Sequence, residues 1–348
     1  MENNQKIVCS NIWKLFGPNE KNVLSNLDQS LSRNEVQEKT GHVVAVKEVS
    51  FSVQKGETFV VMGLSGSGKS TLVRCLSRLI EPTSGLVTID GVDVTKMNNK
   101  ELTDLRRNRM SMVFQHFGLF PHRRVIENIG YGLEIRGVGK KERTEKSMET
   151  LKLVGLDGWD QHYPRELSGG MQQRVGLARA LAVDREILIV DEPFSALDPL
   201  IRREMQDELL SIQKMLKKTM VFITHDFLEA IKMGDNIAIM KDGEISQVGT
   251  PEEIVANPID QYVKDFTEDV PKYKVLSAGK ICRGEICSET EKTFNEGKNC
   301  IDSNAKIDGL MDMCCENDNT FPVVDNVTGK LIGEIDRTII MKSMTSSK

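Results

Sequence analysis

Three short segments carry residue types suited to phosphate chemistry. The first is Gly63-Leu64-Ser65-Gly66-Ser67-Gly68-Lys69-Ser70-Thr71, which follows the apolar run Phe59 to Met62 and precedes a helical period from Leu72 to Leu79. A strand, a glycine loop and a helix in that order make an anion cradle. Gly63, Gly66 and Gly68 let the backbone amides of the loop, Ser65 and Thr71 included, curl around phosphate oxygens, and the helix start adds its partial positive charge. Lys69 is expected to reach the β and γ phosphates of ATP, and the Ser70 hydroxyl to help hold Mg²⁺. In the second segment, Ile187 to Val190 is an apolar strand ending in Asp191 and Glu192. Both carboxylates then sit at the strand ends where ligands of parallel sheets bind. Asp191 suits the coordination of Mg²⁺, and Glu192 is the candidate base for a water attacking the γ phosphate. In isolation, either could simply terminate a surface strand.

His225 ends the apolar run Met220 to Thr224 and arrives at the same edge, where it could polarise the γ phosphate or serve a purely structural role. Gln115 follows Met112 to Phe114 and offers an uncharged amide to both Mg²⁺ and the attacking water. In the third segment, Leu167-Ser168-Gly169-Gly170 runs into a helix rich in alanine and leucine, Val175 to Val183. Ser168 can cap that helix, and its hydroxyl, the amides of Gly169 and Gly170 and the helix dipole form a second anion site. A single nucleotide seldom needs two helix starts from one chain.

The elements that position these groups are visible as periodicity. Residues 7–16 read as a strand, and from Val43 to about Val248 short β-branched runs alternate with helical periods, which predicts α/β architecture with a largely parallel sheet. Residues 17–42 between them read as a helical insert, with Leu24, Leu27 and Leu31 on one face and Ser32 and Glu35 at capping-box spacing. Thr250-Pro251-Glu252-Glu253 opens another helix, which Asn257-Pro258 closes. Beyond Pro271 the composition changes, so a boundary is expected between 270 and 280, followed by a small α+β tail.

Composition narrows the partners. The 348 residues allow one large domain and a smaller one without disulfide staples. With 51 acidic against 46 basic residues there is no overall positive field, so no nucleic-acid partner is expected. No run approaches the ~20 apolar residues of a membrane span, and the start Met-Glu-Asn-Asn-Gln lacks a signal region, which points to the cytoplasm. Seven cysteines, an odd number, suit a reducing compartment. Cys282 with Cys287, and Cys314 with Cys315, could form a metal or redox pair, but the spacing favours ordinary thiols.

The phosphate loop, Gln115, Leu167 to Gly170, Asp191-Glu192, Ser195 to Asp198 and His225 occur in the order and approximate spacing of the ATP-binding-cassette family, which the chain resembles. The resemblance implies a P-loop ATPase domain over residues 1–270, with a mostly parallel sheet, an antiparallel β subdomain and a helical subdomain. It further implies a homodimer in which Ser168, Gly169 and Gly170 reach the nucleotide of the other copy, with Asp198 along the interface. An early aromatic stacks on adenine in that family. Phe16 matches the position, Trp13 competes for it, and either could be ordinary core packing.

Residues 17–42, Leu79 to Gly85 and Asp198 to Leu209 resemble the glycine betaine/L-proline importer ATPases. That likeness implies a peripheral subunit on the cytoplasmic face of the plasma membrane, working with a transmembrane permease and an extracytoplasmic substrate-binding protein to import quaternary-ammonium osmoprotectants. An importer ATPase for another solute, such as an amino acid, and a cassette ATPase outside transport are the alternatives. Phe114, Phe117, Leu119 and Phe120 could receive a permease helix or belong to the core. In the tail, residues 271–348, the stretch from about 299 to 345 resembles part of a cystathionine-β-synthase-type (CBS) module through Asn319 to Asp325 and Gly329 to Gly333. Such modules normally come as two repeats, and here the first is shortened, which suggests a remnant that supports a dimer.

Overall fold

Runs that are apolar throughout become the parallel strands that carry the chemistry, because strands covered on both faces have no solvent side to mark with polar residues. The structure is a computed structural model describing residues 4–114, 118–195, 197–284, 286, 290, 294, 300–310 and 320–345. Gln115, Phe117, Cys287, Cys314 and Cys315 lie outside the described residues.

In the first unit, Met1–Ser246, β1 (Gln5–Phe16) pairs antiparallel with both β2 (Val43–Gln54) and β4 (Ser84–Ile89), and β5 (Val92–Asp93) completes a sheet of order β2-β1-β4-β5. A second sheet has the order β10-β9-β3-β8-β7-β6. Its members are β3 (Thr58–Met62), β6 (Met110–Val113), β7 (Ile187–Asp191), β8 (Thr219–Thr224), β9 (Asn236–Lys241) and β10 (Glu244–Gly249). Every pairing from β9 through β3, β8 and β7 to β6 is parallel, and β3, β7 and β8 are buried along their whole length. The register is tight: Met62 lies opposite Thr224, and Asp191 opposite Ile223. Strands in parallel register therefore end together, and the residues just beyond Met62, Asp191 and Thr224 share one edge.

One core joins the two sheets. Ile7, Val49, Val53 and Val87 from the antiparallel sheet meet Phe59, Val61, Ile189, Val221 and Ile223 from the parallel one, and the Phe51 and Phe59 rings stack at 4.8 Å between centroids. Helix α3 (Lys69–Leu76) buries Leu72, Val73, Cys75 and Leu76 in the same core. It stops at Ser77, short of the expected Leu79, which is half exposed. Helix α4 (Asn99–Asn108) adds Leu102 and Leu105. A helical subdomain follows in which α5 (Val125–Ile135), α6 (Lys140–Leu153) and α7 (Gly169–Ala182) pack on one another, and α8 (Pro199–Leu216) and α9 (Phe227–Met233) return the chain to the sheet.

The insert between β1 and β2 is two helices rather than one. Helix α1 (Glu20–Ser25) and α2 (Arg33–Thr40) are joined by a turn that contains Leu27 and Leu31. Those leucines, with Val23 and Leu24, still pack against a small core of Trp13, Leu15, Val36 and Val44. The leucine spacing reported burial correctly, but turns at Asn26 and Asp28 break the helix that would have aligned it. His42 closes the insert at its base, with Nε2 2.8 Å from the Pro18 carbonyl and Nδ1 2.8 Å from that of Thr40. Only glycine fits at position 17, since a Cβ there would lie 2.2 Å from the imidazole ring.

The second unit is Gln247–Lys348, so the division falls within β10, ahead of the expected boundary. The physical reason is where α10 (Pro251–Ala256) packs: against α11 (Gln261–Thr267) and α12 (Lys272–Val275), with Glu252 accepting a hydrogen bond from the Ser277 amide. Thr250 caps α10 in a full capping box with Glu253, as its sequence suggests. Beyond α13 (Ala278–Ile281), a sheet of order β11-β12-β13 is built from β11 (Ile301–Asp302), β12 (Phe321–Val324) and β13 (Leu331–Ile335), the first pair parallel and the second antiparallel, before α14 (Arg337–Thr345).

If the two sheets of the first unit share one core, Phe59→Ala should reduce the unfolding free energy by about 3–5 kcal/mol. Denaturant unfolding measures this, and a loss below about 1 kcal/mol would show that the sheets are stabilised separately.

Candidate functional site: a cleft at the strand ends

The cleft grows out of the turn after β3. Gly68 adopts φ of 103°, and a Cβ there would sit 2.1 Å from the Ala45 carbonyl oxygen, so the loop can turn this close to β2 only with glycine. Helix α3 then starts without a side-chain cap, leaving its first amides directed into the loop. Lys69 folds back across the loop, and its ammonium donates to the carbonyls of Gly63 at 2.8 Å and Leu64 at 3.0 Å. Its nearest carboxylate oxygen, from Glu192, is 3.8 Å away. Burial pushes the Lys69 ammonium below its ordinary range, and Glu192 and Asp191 oppose that shift.

Strands β7 and β8 bring the remaining groups to the same edge. Asp191, almost wholly buried, accepts a hydrogen bond of 3.0 Å from the Ser70 hydroxyl and lies 3.9 Å from the Arg74 guanidinium. Burial raises its carboxyl above the usual carboxylate range, although Ser70 and Arg74 favour the ionised form. Glu192 stands one residue beyond the strand with φ of 43°, a left-handed conformation that turns its side chain out of the strand's alternation. Its carboxylate reaches His225 Nδ1 at 3.2 Å, while its amide remains bonded to the Ile223 carbonyl of β8.

Lys69, Ser70, Glu192 and His225 line a cleft of about 730 Å³ together with Phe16, Arg33, Val43, Ala45, Leu64, Ser65, Gly66, Gly68, Thr71 and Ser195, while Asp191 is reached from it through Ser70. Phe16 is 42% exposed and faces this space, whereas Trp13 is 2% exposed within the small core under the insert. The two aromatics are thereby separated into a wall residue and a packing residue. Ser168, Gly169, Gly170 and Asp198 do not line this cleft. They form their own place, where Ser168 caps α7 through the Met171 amide and Asp198 caps α8 through those of Leu200 and Ile201. The two helix starts touch, because a Cβ on Gly170 would come within 2.6 Å of Ile201. Phe114 is exposed and Leu119 half-buried, while Phe120 packs its ring 4.5 Å from that of Tyr131.

Arg33 was not singled out from the sequence, and Ser195 was named only as the start of a family motif. Ser195 accompanies Glu192, its hydroxyl donating to the Glu192 carbonyl at 3.1 Å. Arg33 comes from the insert, and the signal that could have found it was the capping box: Ser32 as cap puts Arg33 at the first helical position, where the helix dipole disfavours a cation.

A sequence profile described as "ABC transporter" matches residues 46–195, a span containing the phosphate loop and the strand that ends in Asp191 and Glu192. The trimethylamine N-oxide transport system ATP-binding protein TmoW of Pelagibacter ubique (strain HTCC1062) is 48% identical over 340 residues, covering 98% of this chain and 97% of that protein. The chain belongs to the ABC transporter family. The glycine betaine transport ATP-binding protein OpuAA of Bacillus subtilis (strain 168) is 55% identical over 278 residues, or 80% of this cassette chain and 66% of that protein. Among solved structures, the dimeric bacterial ABC transporter cassette MJ0796 is similar with a TM-score of 0.60 at 32% identity, covering 70% of this chain and 98% of that one. The same MJ0796 cassette in a dimeric post-hydrolysis state bound to ADP and Pi gives a TM-score of 0.59.

The cassette cleft fits ATP and Mg²⁺ by its donor set. Uncapped helix amides and an ammonium hydrogen-bonded to the carbonyls of Gly63 and Leu64 suit a polyphosphate, and the Ser70 hydroxyl beside the Asp191 carboxylate offers hard oxygen ligands. The raised pKa of Asp191 has a consequence for stability. A carboxyl that binds its proton more tightly folded than unfolded opposes folding once it is ionised, so its cost is present at neutral pH and disappears as pH falls through its folded pKa. Asp191→Asn should therefore raise the melting temperature of the nucleotide-free cassette at neutral pH, with the gain shrinking toward acid. Thermal melts across pH check this, and a variant destabilised equally at every pH would contradict it.

Proposed function

We propose that this chain is the ATP-hydrolysing subunit of an importer for glycine betaine, proline or a related quaternary-ammonium osmoprotectant. The observation that carries the catalytic part is the run of contacts at the strand ends: Ser70 to Asp191, Lys69 near Glu192, and Glu192 to His225. In this reading the loop amides and Lys69 bind the phosphates of ATP, and Phe16 supports the adenine. Ser70 and Asp191, with Gln115 as a further ligand, would hold Mg²⁺, which would supply neutralising positive charge to the triphosphate. Glu192 orients a water for in-line attack and takes its proton, while His225, bonded to that carboxylate, fixes its direction and faces the γ phosphate.

Two copies share the work. Ser168, Gly169 and Gly170 stand apart from the cleft yet form a capped helix start suited to an anion, which supports their serving the nucleotide of a second copy, with Asp198 beside them at the interface. That MJ0796, a similar cassette, is dimeric supports reading this chain as one of a pair. Nucleotide-driven closure of the pair then moves a transmembrane permease, to which an extracytoplasmic binding protein delivers cargo, and the subunit works peripherally at the cytoplasmic face of the plasma membrane. The cassette extends over residues 1–270 in functional terms, and the remainder, CBS-like in part, supports the dimer.

The cargo rests on the relatives. Identity is higher to OpuAA, a glycine betaine protein, but TmoW, a trimethylamine N-oxide protein, aligns over nearly the whole chain, so the N-oxide is a second cargo within the same methylated-amine class. Uptake of radiolabelled betaine, proline and trimethylamine N-oxide in cells carrying this subunit and its neighbouring permease distinguishes them. Absence of all three would remove the cargo reading.

Glu192→Gln should slow ATP turnover by ~100-fold or more while leaving ATP bound and the closed dimer favoured. Phosphate release and gel filtration with ATP report both, and undiminished turnover would strip Glu192 of its role. Ser168→Arg should abolish hydrolysis without preventing ATP binding at Lys69 of the same chain. Full activity in that variant would refute sharing between copies.

A further inference from the structure

The helical insert reaches the phosphate loop through Arg33. Arg33 donates from Nη1 to the Gly66 carbonyl at 2.8 Å, and it lines the same cleft as Phe16, Lys69 and Glu192. No carboxylate pairs with its guanidinium among the described residues. One contact to a carbonyl leaves most of the guanidinium's five donors for another acceptor.

Its position is determined from three sides. Ser32 and Glu35 form a capping box that sets the start of α2, Val36 anchors the helix in the small core, and Lys47 reaches the Leu31 carbonyl at 3.3 Å. At the base, His42 fixes both ends of the insert. A cation at the first position of a helix is set against the helix dipole, so local helix energetics does not account for an arginine there. A polyanion in the adjoining cleft does, since a guanidinium matches phosphate oxygens in both charge and geometry.

We propose that Arg33 binds the polyphosphate of the nucleotide, making the insert a contributor to the ATP site; this rests on reading the cleft as that site. The insert then does more than decorate the β1–β2 connection. It adds a second cation to the one supplied by the loop itself, and it couples its own packing to nucleotide occupancy.

The test is calorimetric titration of the full-length chain with ATP and magnesium, using Arg33→Ala, Arg33→Gln and Arg33→Lys, with Lys69→Ala as control. Loss of one charge-assisted contact should weaken ATP binding about tenfold in the alanine and glutamine variants. Lysine, which keeps the charge, should restore most of the affinity, and nucleotide-free melting temperatures should stay unchanged. Alanine binding ATP as the parent does would overturn the proposal. So would rescue by glutamine but not lysine, which would mean that Arg33 only steadies the Gly66 carbonyl. If Lys69→Ala loses binding while the Arg33 variants do not, this inference alone fails. A parent chain without ATP affinity would sink the nucleotide-site reading along with it.

Discussion

A cation withdrawn from water organises this protein. The Lys69 ammonium is buried, and its hydrogen-bond acceptors are the neutral carbonyls of Gly63 and Leu64, with carboxylate charge standing off at 3.8 Å. The Glu192 carboxylate only partly offsets that burial, and a polyanion in the cleft would offset more of it. The surrounding architecture follows from keeping it so. The strand before it must be covered on both faces, the turn must pass within van der Waals reach of β2, and the acidic residues must stand close enough to hold a metal and a water while Glu192 stays beyond hydrogen-bonding distance of the lysine. Parallel register meets the last demand, because β3, β8 and β7 end level and deliver Lys69, His225 and Glu192 to one edge from different segments of the chain.

Much of this was readable from the residues. Short apolar runs, Phe59 to Met62, Ile187 to Val190 and Met220 to Thr224, gave β3, β7 and β8 to within a residue, and Ser168 and Thr250 announced the helices they cap. Local chemistry decides such features, so a local reading finds them. What escaped depends on distance along the chain. The capping box marks Arg33 as out of place, but its partner Gly66 is not legible locally, since the two are brought together by the packing of Val36 on Trp13 and Val44. The division at Ser246 was likewise hidden, because it depends on where α10 packs rather than on any change in composition at that point. Phe16 and Trp13 were indistinguishable as aromatic candidates until β1 was paired, which turned one toward the cleft and the other into the core.

The two units carry different kinds of order. Every residue lining the cleft belongs to the first, whose strands are long and share a continuous core. The second has short strands around Val323 and Ile335 and a buried Glu334 that accepts from Thr290. A carboxylate placed there must be satisfied locally, and the Thr290 hydroxyl with the nearby Arg283 guanidinium does so.

The closure of the insert by His42 bears on how such a chain varies. Phe16 and Val43 are direct partners across β1 and β2, so the insert is in effect an enlarged hairpin tip whose two ends are buttoned together by one imidazole. Closing a longer loop costs only slowly growing entropy, and the flanking register owes nothing to the twenty-odd residues between. Lineages could therefore lengthen or exchange this tip so long as the apolar residues covering Trp13, Leu15 and Val44 are kept, giving the nucleotide a new neighbour while the catalytic edge stays as it was.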